Sequence, residues 1–298
     1  MHVFVTGASG YIGRAVLAEL IAAGHEVTGL ARSEDAAAVV KNLGADVLRG
    51  DLDDLDAIRR GAAEADGVVH LANKHDWANP AVSNRAERAA VQTISDTLAE
   101  SDRPFVFASG LGGFGLDRPT TERDANPAVG PASFRGGAEN LALEYAERGV
   151  RVVSARFAPT VHGEDDHGFI AVIADAARRQ GAVHYAGNGA NRWAAVHRSD
   201  AARLVRLGLE NAPAGSVMHA VAEEGVVVRD IAEALAVRLD LPARSVPARQ
   251  LADELPFIGA FLGLDLAATG NITRELLGWR PTGPTLLEDI AAGHYDRD

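Results

Sequence analysis

Thr6-Gly7-Ala8-Ser9-Gly10-Tyr11-Ile12-Gly13 stands directly after a short apolar run, His2–Thr6, and opens a helical pattern that continues to Ala23. The spacing of its glycines has a physical reason. Gly7 permits a tight turn, Gly10 lets the backbone approach a pyrophosphate, and Gly13 lets helix and strand pack closely. The first turn of the helix then offers unpaired N–H groups and the positive end of its dipole to phosphates. A glycine loop between a first strand and a first helix predicts a dinucleotide-binding α/β fold, with Gly7, Ser9, Gly10, Tyr11, Ile12 and Gly13 around the phosphates.

Outward from that loop the first half of the chain alternates between two periods. Glu26–Ala31, Asp46–Arg49, Gly67–Leu71, Phe105–Ser109 and Arg151–Arg156 are apolar runs of strand length. Ser33–Leu43, Leu55–Ala63, Ala81–Glu100 and Ser133–Arg148 carry helical periodicity between them. Gly24, Gly44 and Gly149 stand where helices need left-handed ends, and Ser33 before Glu34 and Asp35 reads as an N-cap. Strands separated by helices predict right-handed crossovers and a doubly wound parallel sheet. The second half is less regular. Phe169–Arg179, Asp200–Asn211 and Arg229–Leu239 read as helices and Ser216–Ala220 as a strand, while Pro242, Pro247 and Pro256 break the tail. We expect a Rossmann core over residues 1–160, with 198–222 returning to it, and a smaller substrate-binding lobe from 161–197 and 223–298.

Composition narrows the function. Apolar residues make up 47% of the 298, enough to fill such a core, and the absence of Cys excludes disulfides, thiolate metal sites and a Cys nucleophile. The formal net charge of −12 is spread along the chain, and such a surface repels nucleic acid and anionic membranes. The opening MHVFVTGASG lacks the basic start and apolar run of a signal peptide, and no stretch reaches the ~18 apolar residues of a membrane span. A cytoplasmic protein with a small-molecule substrate is the expectation.

The end of the second strand discriminates the cofactor. An NAD site usually places an acid there, about 20 residues after the glycines, on the ribose hydroxyls. This chain reads Gly29-Leu30-Ala31-Arg32-Ser33, with Ala31 where the acid is expected. A guanidinium at Arg32 and a hydroxyl at Ser33 suit a 2′-phosphate, which points to NADP(H). Arg32 also reads as a solvated surface arginine. Asp51, followed by Leu52, could receive the adenine amino group or cap the Asp53–Arg60 region.

With TGASGYIG at 6–13, VVHLA at 68–72, VFASG at 106–110 and LGWRP at 277–281, the chain resembles an extended short-chain dehydrogenase/reductase over nearly its whole length. The resemblance implies that Leu71, Ala72 and Asn73 border the cofactor and that Phe157–Thr160, Pro159 among them, lies along the nicotinamide. It also implies oxidoreductase chemistry. The family's usual catalytic pair is a Tyr with a Lys four residues on, the cation lowering the Tyr pKa. Here the residues four beyond Tyr11, Tyr145 and Tyr185 are Ala15, Gly149 and Gly189, and Tyr295 lies too near the end. Aligned on Glu139, the chain has Arg135 in the Lys position, Pro131 in the Tyr position, and Gly110 in the position of the usual Ser/Thr, one residue after Ser109. It is thus similar to an atypical extended subgroup in which Arg replaces Lys, a likeness that HLANKHDW (70–77), VHGEDDHGF (161–169) and NRWAAVHRSDAA (191–202) share.

The candidate catalytic residues that remain are Arg135, Ser109, His75, His162 and His167. Any of the three histidines could act as acid, since imidazole titrates near neutrality, and each also reads as a structural or substrate-contact residue. His70 and His197 read as hydrogen-bonded structural histidines, and Asp200 as a helix cap. Asp165-Asp166-His167 lacks the partners for a metal site, so no metal is expected. The expected function is NADPH-dependent reduction of a carbonyl, imine or activated alkene. Epimerase or dehydratase chemistry, and a non-catalytic dinucleotide-binding sensor or scaffold, are the alternatives. A homodimer through surface helices is common for such folds.

Overall fold

The computed structural model describes residues 1–76, 79–255 and 258–296; Trp77 and Pro256 lie outside them. Seven parallel strands form the central sheet: β1 (His2–Thr6), β2 (Glu26–Ala31), β3 (Asp46–Arg49), β4 (Gly67–His70), β5 (Pro104–Gly110), β6 (Arg151–Phe157) and β10 (Ser216–Ala220). Their order is β10-β6-β5-β4-β1-β2-β3. Strand order therefore reverses between β1 and β4, and the crevice outside the carboxyl ends of strands at such a reversal is where open sheets bind ligands.

The interior strands β4 and β5 are almost wholly buried, as the continuous apolar runs require when helices cover both faces. Edge strand β3 keeps Asp46 and Arg49 in solvent, which blunts its free edge. Helices α1 (Tyr11–Ala22), α2 (Glu34–Asn42), α3 (Leu55–Glu64) and α4 (Pro80–Leu98) are the crossovers of the first half. Ser33 caps α2, its side chain accepting from Ala36 N at 3.1 Å. Among the described residues no helix is long and apolar enough to cross a membrane.

One expected helix is broken. Over 133–148 the chain forms a 3-10 turn at Phe134–Gly137, a short helix α5 (Ala138–Glu144) and a second 3-10 turn at Tyr145–Arg148. Arg135, Gly136 and Gly137 all take left-handed φ, at 53°, 63° and 61°. A Cβ on Gly136 would come within 2.5 Å of the Asn84 carbonyl, so the glycine lets this turn lie against α4.

Beyond β6 the chain builds a second packed layer. It contains β7 (Thr160–His162), α6 (Phe169–Gln180), β8 (Val183–Ala186) and β9 (Arg192–His197), before α7 (Arg198–Asn211) leads back to β10. After β10 come β11 (Glu223–Val227), α8 (Val228–Leu239), β12 (Ala243–Val246), α9 (Ala248–Glu254), α10 (Ile258–Phe261), α11 (Asn271–Leu277) and α12 (Leu286–Ala291). Small sheets β11-β9-β7 and β12-β8 surround an apolar core with Ile170, Trp193, Leu235 and Leu286. Asp200 corrects another expectation. The N-cap of α7 is His197, whose ring accepts from Ser199 N, whereas Asp200 is buried and receives the backbone N–H groups of Thr282 and Gly283 at 3.0 and 2.7 Å. It anchors the segment after Trp279, whose indole donates to the Asp200 carbonyl at 3.0 Å.

Candidate active site

The glycine loop has the geometry its spacing implies. Gly7 sits at φ 69°, and a Cβ there would stand 2.7 Å from the Ala72 nitrogen. A Cβ on Gly13 would lie 2.0 Å from the Gly7 carbonyl, so helix and loop touch backbone to backbone. On Gly10 a Cβ would meet only that same carbonyl, at 3.1 Å, and nothing else crowds this position. Helix α1 begins with no side-chain cap and no acid in its first turn, so its first N–H groups and positive dipole end remain available to an anion. These residues fit a dinucleotide pyrophosphate. Leu71, Ala72 and Asn73 run alongside, tied by Leu71 N and Ala72 N to the carbonyl and hydroxyl of Thr6.

At the end of β2 stands Arg32, and β3 brings Arg49 to the same corner through strand pairing. Ala31 is buried beside Arg49 of β3 in register, and Arg32 is exposed. Arg49 donates to the Ser33 carbonyl at 2.5 Å and approaches Glu34 at 3.2 Å, which holds it at this corner. Arg49 escaped the sequence reading because it is 17 positions beyond Arg32 and adjacent only through strand pairing. Asp51 accepts from the N–H groups of Asp53 and Asp54 and closes a turn, whereas Asp54 caps α3. Leu52 is buried against the same helix.

The carboxyl end of β5 carries a different chemistry, built on buried charges. Ser109 donates its hydroxyl proton to Glu139, which also accepts from Asn126 at 2.7 Å and from Arg156 Nε at 2.7 Å. Ser109, Glu139 and Arg156 are all buried, and Ser109 pairs with Arg156 in the β5–β6 register. Arg135 forms a two-pronged ion pair with Glu87 of α4, a fully buried acid that also accepts from Asn73 Nδ2 at 2.8 Å. The Arg135 guanidinium stands 5.9 Å from the centre of the Phe107 ring. Between these two charge pairs lies a small cleft bounded by Phe107, Ser109, Gly110, Asn126, Phe134 and Arg135.

Residues 3–221 match the family model described as NAD dependent epimerase/dehydratase family. The chain belongs to this family. An uncharacterized protein of Saccharomyces cerevisiae, YLL056C, is 40% identical over 99% of this chain and 99% of its own length. A 4-hydroxy-2-methyl-3-oxo-4-farnesyl-3,4-dihydroquinoline-1-oxide ketoreductase of Stigmatella aurantiaca is 30% identical over 73% of this chain and 67% of its own. Among solved structures, the dTDP-glucose 4,6-dehydratase DesIV of Streptomyces venezuelae shares the fold with a TM-score of 0.78 at 22% identity, over 99% of this chain and 96% of that one. The family agrees with the extended short-chain dehydrogenase/reductase resemblance of the motifs.

Within this epimerase/dehydratase frame the tyrosines stand away from the cleft. Tyr145 donates to Asp96 at 2.5 Å, and Tyr295 donates to Asp166 at 2.9 Å. Burial, followed by the charge of Asp166, raises the Tyr11 and Tyr295 hydroxyls far above the ordinary phenol range. Tyr185 lies in β8 of the second layer. No tyrosine lines the cleft among the described residues.

The histidines separate as well. His162 is wholly buried on β7 with Nδ1 2.5 Å from Asp289 of α12, and it does not line the cleft. His167 packs edge-on against Tyr11 at the start of α1, with ring centres 5.4 Å apart. His75 follows Asn73, whose Oδ1 accepts the His75 N–H at 2.8 Å. Loss of surrounding water, and then the charges of Arg135 and His167, lower its pKa. His70 and His197 make the side-chain hydrogen bonds expected of them, to Thr6 at 2.8 Å and Ser199 at 2.7 Å. Phe157 pairs with Gly110 across the β5–β6 register, and Pro159 follows just before β7. Glu87 left a trace in the sequence, since it falls on the stripe of Ala90, Val91, Ile94 and Leu98 that α4 buries.

Proposed function

We propose that this protein is an NADP(H)-dependent oxidoreductase that reduces a carbonyl, or an imine or activated alkene, of a small organic molecule. The observation that carries the reading is the cleft at the carboxyl end of β5, bounded by Ser109 and Arg135, with Asn73 and Arg135 sharing the buried Glu87. The bound dinucleotide supplies the reducing equivalent. The glycine loop and the N-terminus of α1 would hold its pyrophosphate, and Arg32 with Arg49 would hold the 2′-phosphate. Phe157 and Pro159 would border its nicotinamide.

Arg135 polarises the acceptor oxygen. Two of its five N–H groups are engaged by Glu87, which fixes the guanidinium and leaves donors for the substrate. Ser109 has its proton committed to Glu139, so its role is to accept and to position. His75 relays a proton from solvent to the product oxygen, since its lowered pKa keeps the ring neutral near neutral pH. Segments 161–197 and 223–298 supply the far wall of the substrate site.

The epimerase/dehydratase reading is favoured by the family model, yet oxidation of a sugar hydroxyl calls for a base in the cleft. No tyrosine is there, and the carboxylate of Glu139 is tied to Arg156. The test is absorbance loss at the NADPH band with a panel of aldehydes and ketones, in parent and His75→Asn. Turnover by the parent and its loss in the variant are expected. NADPH consumption with no member of the panel overturns the reading.

A further inference from the structure

We propose that Arg198 is a further dinucleotide-binding residue, a guanidinium that meets the pyrophosphate at the start of α1 and serves NADP(H) and NAD(H) alike. The proposal deepens the reading of the cofactor site and rests on dinucleotide binding, not on the reductase chemistry. It begins at the glycine loop. The Arg14 N–H is taken up by the Gly10 carbonyl at 2.9 Å, so the N–H groups of Tyr11, Ile12 and Gly13 precede the helical ladder. An anion held by them stands next to the Tyr11 residue.

Arg198 reaches the same corner from the other half of the chain. It is the first residue of α7, where the chain crosses from β9 of the second layer back to the core. Helices α1 and α7 pack side by side and run in the same direction, tied further along by Arg206 to Glu19 at 2.7 Å and His25 to Glu210 at 2.9 Å. Their amino ends therefore lie together, and the Arg198 guanidinium stands 5.3 Å from the centre of the Tyr11 ring. His167 lies edge-on to that ring, which makes Tyr11 a fixed platform.

The charge of Arg198 is unspent. Among the described residues it forms no ion pair and no hydrogen bond, whereas Arg135, Arg156 and Arg206 are each answered by a carboxylate. Asp166, whose charge acts on the same Tyr11, is held by Gly168 N at 2.6 Å and by the Tyr295 hydroxyl at 2.9 Å. A guanidinium over an aromatic ring keeps its N–H donors at its edge, free for two-pronged bonding to a phosphate. Both nucleotides carry the pyrophosphate, so this contact confers no preference between them. That sets Arg198 apart from Arg32.

The test is calorimetric titration of the parent, Arg198→Met and Arg198→Lys with NADPH and with NADH, beside urea unfolding of each. Arg198→Met should weaken both nucleotides by about ten-fold and by equal factors, with the unfolding midpoint unchanged. Arg198→Lys keeps the charge and should recover most of that loss. Unchanged affinity for both nucleotides overturns the proposal. Weakening of NADPH alone also overturns it and moves Arg198 to the 2′-phosphate. A loss that Arg198→Lys does not relieve, with a lowered midpoint, makes Arg198 a packing residue on Tyr11 and overturns it too. A parent that binds neither nucleotide overturns it together with the cofactor site. The expected losses in a protein that reduces no aldehyde or ketone support the proposal and count against the reductase reading alone.

Discussion

The nucleotide edge and the β5 edge of the cleft handle charge in opposite ways. At the glycine loop the positive potential comes from backbone N–H groups and a helix end, and neither a side-chain cap nor a first-turn acid neutralises it. At the end of β5 it comes from guanidinium groups, each already answered by a buried carboxylate. The first arrangement is open to a phosphate, whereas in the second the cations are already paired. The two edges also differ in how far the chain travels to make them. Eight consecutive residues form the loop, while Arg135 and Glu87 are 48 positions apart and Ser109 and Glu139 are 30 apart.

The largest test of this contrast removes one member of a buried pair. Arg135→Ala leaves Glu87 buried with only Asn73 for a partner, so unfolding free energy in urea should fall by about 3 kcal/mol. Turnover should drop a hundred-fold or more. The double variant Arg135→Ala with Glu87→Gln should recover most of the stability and none of the activity. Full activity in the double variant would show that the pair is structural only.

On the nucleotide edge the side-chain charges are exposed to solvent. Arg32→Ala should weaken NADPH binding roughly ten- to a hundred-fold, the effect of a lost charged hydrogen bond of about 1.5–3 kcal/mol. Arg49→Ala should cost several-fold, and Ala31→Asp added to Arg32→Ala should reverse the preference towards NADH. Calorimetric titration with both cofactors decides it. Equal weakening of both cofactors by Arg32→Ala would remove the 2′-phosphate assignment.

A third test sharpens the contrast through pH. Burial, then the charge of Arg135, lowers His70 to about 3, and its unfolded-state value is the ordinary 6.5. Because the unfolded chain binds this proton more tightly, the contribution of neutral His70 is full above pH 6.5 and lost as pH falls towards 3. At pH 5 this amounts to a loss of about 2 kcal/mol. Urea unfolding of parent and His70→Asn at pH 7.5 and 5.0 should show the acid sensitivity shrinking by that amount in the variant. An unchanged pH dependence would mean that another group carries it.

The smallest expected effects are on the tyrosines. Tyr145→Phe and Tyr185→Phe remove hydroxyls remote from the cleft and should leave kcat within two-fold. Tyr11→Phe removes a buried hydroxyl without a hydrogen-bond partner and should likewise preserve turnover. A thousand-fold loss in any of them, with cofactor binding intact, would restore a tyrosine to the chemistry and redraw the β5 edge.

What could be read without coordinates follows from the range of the forces involved. The strands β1, β2, β3 and β10 stand at the residues that periodicity indicated, and the loop stands where its glycines demanded, because both depend on neighbours a few positions away. The helix expected over 133–148 failed for a local reason that was on view. Two adjacent glycines, Gly136 and Gly137, are poor helix formers, and here they turn left-handed to lie against α4 and residue 130. Arg135 was identified from its place beside Glu139, but the acid that neutralises it was not.

The sequence by itself determined the doubly wound class, the phosphate loop, the absence of an acid at the end of β2 and the loss of the Tyr–Lys pair. Tertiary structure alone decided that Arg49 reaches Ser33 at the end of β2, that Ser109 gives its proton to Glu139, and that Arg135 is answered by Glu87. It also locked His162 to Asp289 and set His75 on the loop after β4, where the charge of Arg135 helps to lower its pKa. The reason is physical. Backbone geometry is set by residues close in the chain, whereas the charge state and orientation of a buried side chain are set by whichever groups the fold brings within about 3 Å of it.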